Sequence, residues 1–329
     1  MRLSAFTVVD SYPEYESGAR DRYAEVLELA DAAERNGLSA LWVAEHHFHT
    51  GGVCPSPPTL LAAIGARTQR LRVGSLVAVL PFHSPVEIAE QYALVDRLVH
   101  GRLNLGVGSG YLPQEFEGFG VDPEEKRARF DRALEVLLRA WRGEAIPPVA
   151  GSGPPIRINV KPIQRPAPPI WVAAQRREAL PHLARAGRSV ALIPYATVDS
   201  IDELAQEIRE FRAALPGGTT AEVAAAVHVY SGTELSVARQ ALQRYLDSRL
   251  ATHSTHLAAK VRADPRRAHA EAVESSGFAA FGSPEEVARQ LQNFAAAGVD
   301  ELLGIFDFGA LPVRQVVQSV ASLGARWGR

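Results

Sequence analysis

A closed (β/α)8 barrel is the fold this sequence predicts, and three observations carry it. Eight short apolar runs alternate with longer amphipathic stretches along 329 residues, the rhythm of a parallel sheet with helical crossovers. Eight such units suit closure into a barrel. Runs such as Leu76-Val77-Ala78-Val79-Leu80 are almost wholly apolar, as parallel strands covered on both faces are. An open, doubly wound Rossmann-like sheet is the runner-up.

The elements follow in order. Leu3–Val9 reads as the first strand. Arg20–Asn36 reads as a helix, with Tyr23, Val26, Leu27, Ala30 and Ala33 near a 3.6 period and Asn36-Gly37 as its stop. Strands are expected at Ala40–Ala44, Leu71–Leu80 and Leu103–Val107, and helices at Pro57–Thr68, Pro85–Val99 and Pro123–Trp141. Gly143–Pro169 is rich in Pro and Gly and interrupts the rhythm. It reads as an inserted excursion with one strand-like piece, Ile156–Val160. Alternation then resumes with strands Ile170–Ala174, Val190–Ile193 and Ala221–Tyr230, separated by a helix to Gly187 and another over Ile201–Leu215. A helical region from Glu234 to about Ser275 contains a candidate lid at 252–277. Helix Pro284–Ala297, strand Glu301–Phe306 and helix Pro312–Arg326 close a single barrel domain spanning 1–329.

Composition narrows the function classes. Apolar residues make up 47% and charged residues 22%, proportions of a globular protein. A formal charge of −2 gives no electrostatic reason to expect nucleic acid or an anionic membrane. Cys54 is the single cysteine, which excludes an intrachain disulfide and any CxxC motif. The N-terminus lacks a signal-peptide pattern, and the longest apolar stretches, such as Val73–Phe82, are too short to span a membrane. A cytoplasmic enzyme is expected.

In a barrel, chemistry sits just past the C-terminal ends of the strands. After the second strand comes Glu45-His46-His47-Phe48-His49, the densest titratable cluster in the chain. Side chains alternate along an extended segment, so His46 and His47 cannot both face the mouth if the strand continues through them. An acid/base or ligand-contacting role is expected, with solvated loop histidines as the alternative. No HExxH is present and the spacing is poor for a metal. After the fourth strand, Gly106-Val107-Gly108-Ser109-Gly110 lacks the third glycine of a dinucleotide fingerprint. It allows backbone to approach a flat or anionic ligand, or it is simply a tight turn. After the fifth strand, Gln175-Arg176-Arg177 precedes a helix start, a suitable phosphate seat or a solvated arginine pair. No GxSxG elbow and no P-loop is present.

Several motifs occur in an order that resembles the luciferase-like family of flavin-dependent enzymes along nearly the whole chain. They are Gly37-Leu38-Ser39-Ala40-Leu41-Trp42-Val43-Ala44-Glu45-His46-His47-Phe48, Val73-Gly74 through Leu80-Pro81 to Pro85-Val86-Glu87-Ile88-Ala89-Glu90, Gly101-Arg102-Leu103-Asn104-Leu105-Gly106-Val107-Gly108, and Glu115-Phe116-Glu117-Gly118-Phe119-Gly120. Pro162-Ile163-Gln164-Arg165-Pro166 before Pro168-Pro169-Ile170-Trp171-Val172-Ala173-Ala174 continues the match, as does Gly282-Ser283-Pro284-Glu285-Glu286-Val287 with Gly298-Val299-Asp300.

The resemblance implies a barrel monooxygenase that takes reduced FMN from a separate flavin reductase and oxygenates a small organic substrate through a flavin C4a-peroxide. His46 falls on the catalytic position beside the flavin. His47 is implied to face a homodimer interface, with Glu90 of the facing subunit as its partner. Leu76-Val77 falls where the family often has a non-prolyl cis peptide beneath the flavin, and Phe6 where it has an aromatic beside flavin or substrate. Two departures concern the cofactor. Ser109 stands where many FMN-binding relatives have an arginine, and Gln175-Arg176 replaces a Glu-Ser pair. Ser109, Gln175, Arg176 and Arg177 then form the expected phosphate seat, with Glu45 and Gly108 also at the cofactor. Gly108 replaces a cysteine, so light emission is not implied. The rivals are an F420-dependent hydride-transfer enzyme on the same fold and a non-catalytic flavin-binding subunit.

Overall fold

The computed structural model describes residues 1–15, 21–148, 153–252 and 255–327. In chain order its elements are β1 (Arg2–Thr7), α1 (Arg22–Arg35), β2 (Ala40–Val43), α2 (Pro57–Arg67), β3 (Arg72–Val79), α3 (Pro85–Leu98), β4 (Leu103–Gly108), α4 (Pro113–Gly118) and α5 (Lys126–Arg142). After the excursion come β5 (Ile170–Ala174), α6 (Leu180–Arg185), β6 (Ser189–Leu192), α7 (Pro194–Thr197), α8 (Ile201–Ala213), β7 (Val223–Ser231) and α9 (Leu235–Ala251). The chain ends with α10 (Thr255–Ala263), α11 (Ala270–Ser275), β8 (Ala279–Gly282), α12 (Pro284–Ala297), β9 (Glu301–Ile305) and α13 (Val313–Trp327).

All strand pairings are parallel. Neighbours run β6-β5-β4-β3-β2-β1-β9-β7, and a β6–β7 pairing closes the circle. The result is the eight-stranded barrel that the alternation predicts. The short β8 is additional. It pairs with His228–Ser231 of β7, beyond most of the stretch that pairs with β9. Its Ala-Ala-Phe-Gly composition lacks the β-branched residues that flag a strand, which is why the sequence reading passes over it.

Local chemistry fixes the element ends. The Asp21 carboxylate accepts the backbone N–H groups of Tyr23 and Ala24 and so caps α1. Ser283 and Glu286 form a reciprocal capping box at α12. Arg20, at the start of the expected first helix, lies outside the described residues. The barrel floor is polar and well paired. Glu301 accepts from Ser4 Oγ (2.8 Å), Trp42 Nε1 (2.9 Å) and Arg2 (2.9 Å). Above it Trp42 meets Trp171 edge to face, with centroids 5.9 Å apart.

One expectation requires correction. Ile156–Val160 is not a strand, since Ile156 makes only an isolated bridge to Ile146. A closed barrel leaves no free sheet edge for it to join. In the described part of the 143–169 excursion, Pro147 lines a cleft with Leu80, Pro81 and His83 just past the end of β3. Asp96 of α3 accepts from the backbone N–H groups of Ile163 and Gln164 (2.7 and 3.0 Å), while Gln164 donates to Leu103 O and accepts from Arg72. These contacts tie Ile163 and Gln164, ahead of β5, to the N-terminal ends of β3 and β4. The described part of 252–277 forms α10, a short turn and α11. Arg267 and Lys260 pair with Asp199 ahead of α8.

Candidate active site

The loops past the strand ends enclose a cavity of about 560 Å³, within the range of small-molecule sites. Phe6, Glu45, His46, Leu76, Val77, Gly108, Ser109, Gln175 and Arg176 all line it. The Leu76–Val77 peptide is cis. A Cβ at Gly108 would lie 2.6 Å from Val77 Cγ2, so a side chain there would displace this wall.

β2 ends at Val43, so strand alternation does not reach His46 and His47; His46 lines the cavity and His47 does not. The His46 Nδ1–H donates to Glu115 Oε1 at 2.9 Å, and the His47 backbone N–H donates to the same oxygen at 3.0 Å. His49 Nε2 stands 3.4 Å from it. Burial pushes the Glu115 carboxyl up, but the His46 hydrogen bond and the nearby His49 ring outweigh it and hold the group at about 2. Burial lowers the His46 pKa more than Glu115 raises it. Because the carboxylate can only accept, Nδ1 carries the proton of a neutral ring and Nε2 is left as a base. Gly52 covers this ring closely, since a Cβ there would lie 2.6 Å from His46 Cδ2.

His47 turns to a second carboxylate. Its Nε2–H donates to Glu45 Oε1 at 3.0 Å, His83 Nε2–H donates to the same atom at 2.6 Å, and the Val79 N–H donates to Glu45 Oε2 at 3.1 Å. Burial raises the Glu45 carboxyl, yet the hydrogen bonds from His47 and His83 prevail and keep it below its ordinary range. Each carboxylate with its two histidines brings three ligand-type atoms within 4.8 Å of one another. Within one chain His47 is thus already satisfied by Glu45. Glu90 is half-buried on α3. Cys54 is buried, and burial pushes its thiol up to about 12, so it is not a nucleophile at neutral pH.

The cationic side of the cavity differs from the expected one. Arg176 lines it, but Arg177 does not. Arg177 pairs with Glu210 of α8 at 2.8 Å, and half of its side chain is exposed. Lys126 and Arg127, in the first turn of α5, line the cavity in its place. Sequence reasoning misses them because two basic residues at a helix start look like an ordinary solvated face. It also misses Glu115 as the partner of His46. The only signal for it is its place in the Glu115-Phe116-Glu117-Gly118 motif.

A second polar group lies at the substrate-sized part of the cavity. Arg249 of α9 pairs with Asp10, which follows β1, and stacks over the Tyr245 ring at 4.7 Å. Tyr12 Oη donates to Asp10 at 2.9 Å, and the Tyr195 and Tyr245 hydroxyls lie 3.2 Å apart. Tyr111, Tyr195, Tyr245 and Arg249 line the cavity together with His46. Among the described residues, no helix is long and apolar enough to cross a membrane.

Comparisons with known proteins agree with this architecture. The solved structure of the monooxygenase RslO1 from Streptomyces bottropensis superposes with a TM-score of 0.80 at 27% identity, covering 98% of each chain. The oxygenating constituent of 3,6-diketocamphane monooxygenase from Pseudomonas putida, solved with FMN, gives 0.78 at 18% identity over 98% of this chain and 96% of that one. An F420-dependent secondary alcohol dehydrogenase also shares the fold, with a TM-score of 0.76 at 15% identity and 99% coverage of both chains. The oxygenase component of a flavin-dependent trigonelline monooxygenase from Acinetobacter baylyi is 28% identical over 203 residues, 59% of this chain and 54% of that protein. The chain matches about half the length of the first curated relatives, 57% and 47%. A family model described as luciferase-like monooxygenase matches residues 1–301, and the chain therefore belongs to the luciferase-like monooxygenase family.

Proposed function

We propose that the protein is the oxygenase of a two-component flavin monooxygenase, using reduced FMN from a separate reductase and dioxygen to oxygenate a small, largely apolar substrate. One observation carries this reading: a single cavity is lined both by a carboxylate-held neutral imidazole, His46 with Glu115, and by a phosphate-type donor set. Ser109, Gln175, Arg176, Lys126 and Arg127 would hold the FMN phosphate. Leu76, Val77 and Gly108 would flank the ring system, with Phe6 on the substrate side. When bound, the reduced flavin supplies the electrons that activate dioxygen. The protein's own part is to orient the ring, keep water out with its apolar walls, and move a proton at His46 Nε2.

The trigonelline relative is by name an oxygenase component, which supports a reductase as partner here. A homodimer through α3 belongs to the same reading. Glu90, Leu94 and Leu98 follow one another at i+4 on one helix face, and Leu94 and Leu98 are about half exposed although apolar. The F420 reading rests on a shared fold with an F420-dependent enzyme. The intact His46–Glu115 pair favours a catalytic reading over a non-catalytic subunit, and the neighbour solved with FMN supports FMN as the cofactor.

Rapid mixing of the protein with reduced FMN in aerated buffer tests the proposal. Reoxidation slower than that of free flavin, through an absorbance that belongs to neither the reduced nor the oxidised form, is expected. Reoxidation at the free-flavin rate would refute it.

A further inference from the structure

Arg249 is an unusual residue for an apolar cavity. Its side chain is 4% exposed, and it pairs with Asp10 through one terminal nitrogen. Its Nε is buried without a hydrogen-bond partner among the described residues, although a guanidinium offers five donors in a fixed fork. That Nε is closed off from the cavity, so the terminal nitrogens are what the guanidinium can offer to a molecule in the cavity that Arg249 lines. The surroundings are built to hold it in place. Asp10 is itself fixed by Tyr12, and the Tyr245 ring supports the guanidinium from below. Asp10 follows Val9, whose φ of +57° is rare for a β-branched residue. The Val9 N–H donates to Thr7 Oγ1 at 3.0 Å, and Val9 O accepts from the Val53 N–H at 3.0 Å. The backbone is thus turned at a conformational cost at the point that presents Asp10 to Arg249.

The location ties this group to the reacting end of the cavity. Tyr111 meets His46 edge to face at 6.2 Å, and Tyr111, Arg249 and His46 share the same cavity wall. The neighbouring ring of His228 contributes no charge. It is packed against Tyr195, Tyr245 and Phe308, and burial holds its pKa down at about 3. Asp10 already balances the Arg249 charge, so the acceptor need not be an anion. A neutral oxygen on an otherwise apolar, ring-sized molecule suits both a terminal guanidinium N–H and the aromatic walls.

We propose that Arg249 is the substrate-orienting residue, donating to a carbonyl or phenolic oxygen of a ring substrate packed among Tyr111, Tyr195 and Tyr245, and that this oxygen sets specificity. The inference rests on the flavin monooxygenase reading for the reaction, but the contact itself is readable without turnover. A site built around a hydrogen bond rejects an analogue lacking the acceptor far more strongly than a purely apolar pocket can.

The test uses a matched pair of probes, 1-tetralone and its hydrocarbon tetralin, titrated calorimetrically into the whole protein with and without FMN. Wild type should bind the ketone about 10-fold or more tightly than the hydrocarbon, the size expected for a hydrogen bond to a charged donor. Arg249→Gln should remove that preference. Because this variant leaves the Asp10 charge buried and unpaired, the double variant Asp10→Asn, Arg249→Gln removes both charges together and should show the same loss. Both variants should bind FMN like wild type. Equal affinity of wild type for the two probes would overturn the proposal, as would a ketone preference that persists in the double variant. Failure to bind FMN alongside an intact, Arg249-dependent ketone preference would refute the flavin reading and leave this contact standing.

Discussion

Replacing Glu115 by Gln tests how the His46 ring is tuned. Glu115 is 1% exposed and accepts both the His46 Nδ1–H and the His47 backbone N–H. The amide of Glu115→Gln would keep a carbonyl acceptor and lose the charge. A hydrogen bond to a charged acceptor contributes about 1.5–3 kcal/mol against about 1 for a neutral one, so a stability loss of about 1–2 kcal/mol is expected. Linkage gives the pH signature. A carboxyl at about 2, against about 4.3 unperturbed, corresponds to about 3 kcal/mol of stability. That contribution is present in full above the unfolded pKa and is lost as pH falls toward 2. His46, with its pKa lowered, acts in the same direction from higher pH, because below about 6.5 the unfolded chain takes up the proton first. Glu115→Gln should flatten the loss between about pH 4 and 2 in urea melts. It should also move the acid limb of kcat/KM to lower pH, because the anion that supports the imidazolium is gone, and should slow proton transfer by about 10-fold. An acid limb that stays in place or moves upward would refute the assigned pairing.

Further outcomes follow from the same geometry. Arg176→Ala, Lys126→Ala or Arg127→Ala should each weaken FMN binding by about 10-fold or more, the worth of a charge-assisted contact, whereas Arg177→Ala should leave it unchanged because Arg177 pairs with Glu210; fluorescence titration distinguishes them. Gly52→Ala should lower kcat with a modest fall in Tm, because the added methyl displaces the His46 ring. Leu94→Glu with Leu98→Glu should yield a monomer by sedimentation, and a persistent dimer would exclude α3 as the interface.

The barrel was legible because its signals are local. The strands are short runs of four to nine residues, and α1, α8 and α12 carry side-chain caps at their starts. What sequence could not show are contacts made across the fold. Glu115 is 69 residues from His46, and Arg249 is 239 from Asp10. Neither pairing leaves a trace in local spacing. Arg176 and Arg177 show the limit most plainly. They are adjacent and chemically identical, yet a glutamate on α8 draws one away while the other lines the cavity.

The central claim is that this cavity is made for reduced FMN. Anaerobic titration of one preparation with reduced FMN and with reduced F420 tests it most directly. We predict saturable binding of reduced FMN that weakens at least about 10-fold in Arg176→Ala, with reduced F420 binding far more weakly. Tighter binding of reduced F420, with no effect of Arg176 on reduced FMN, would contradict the account.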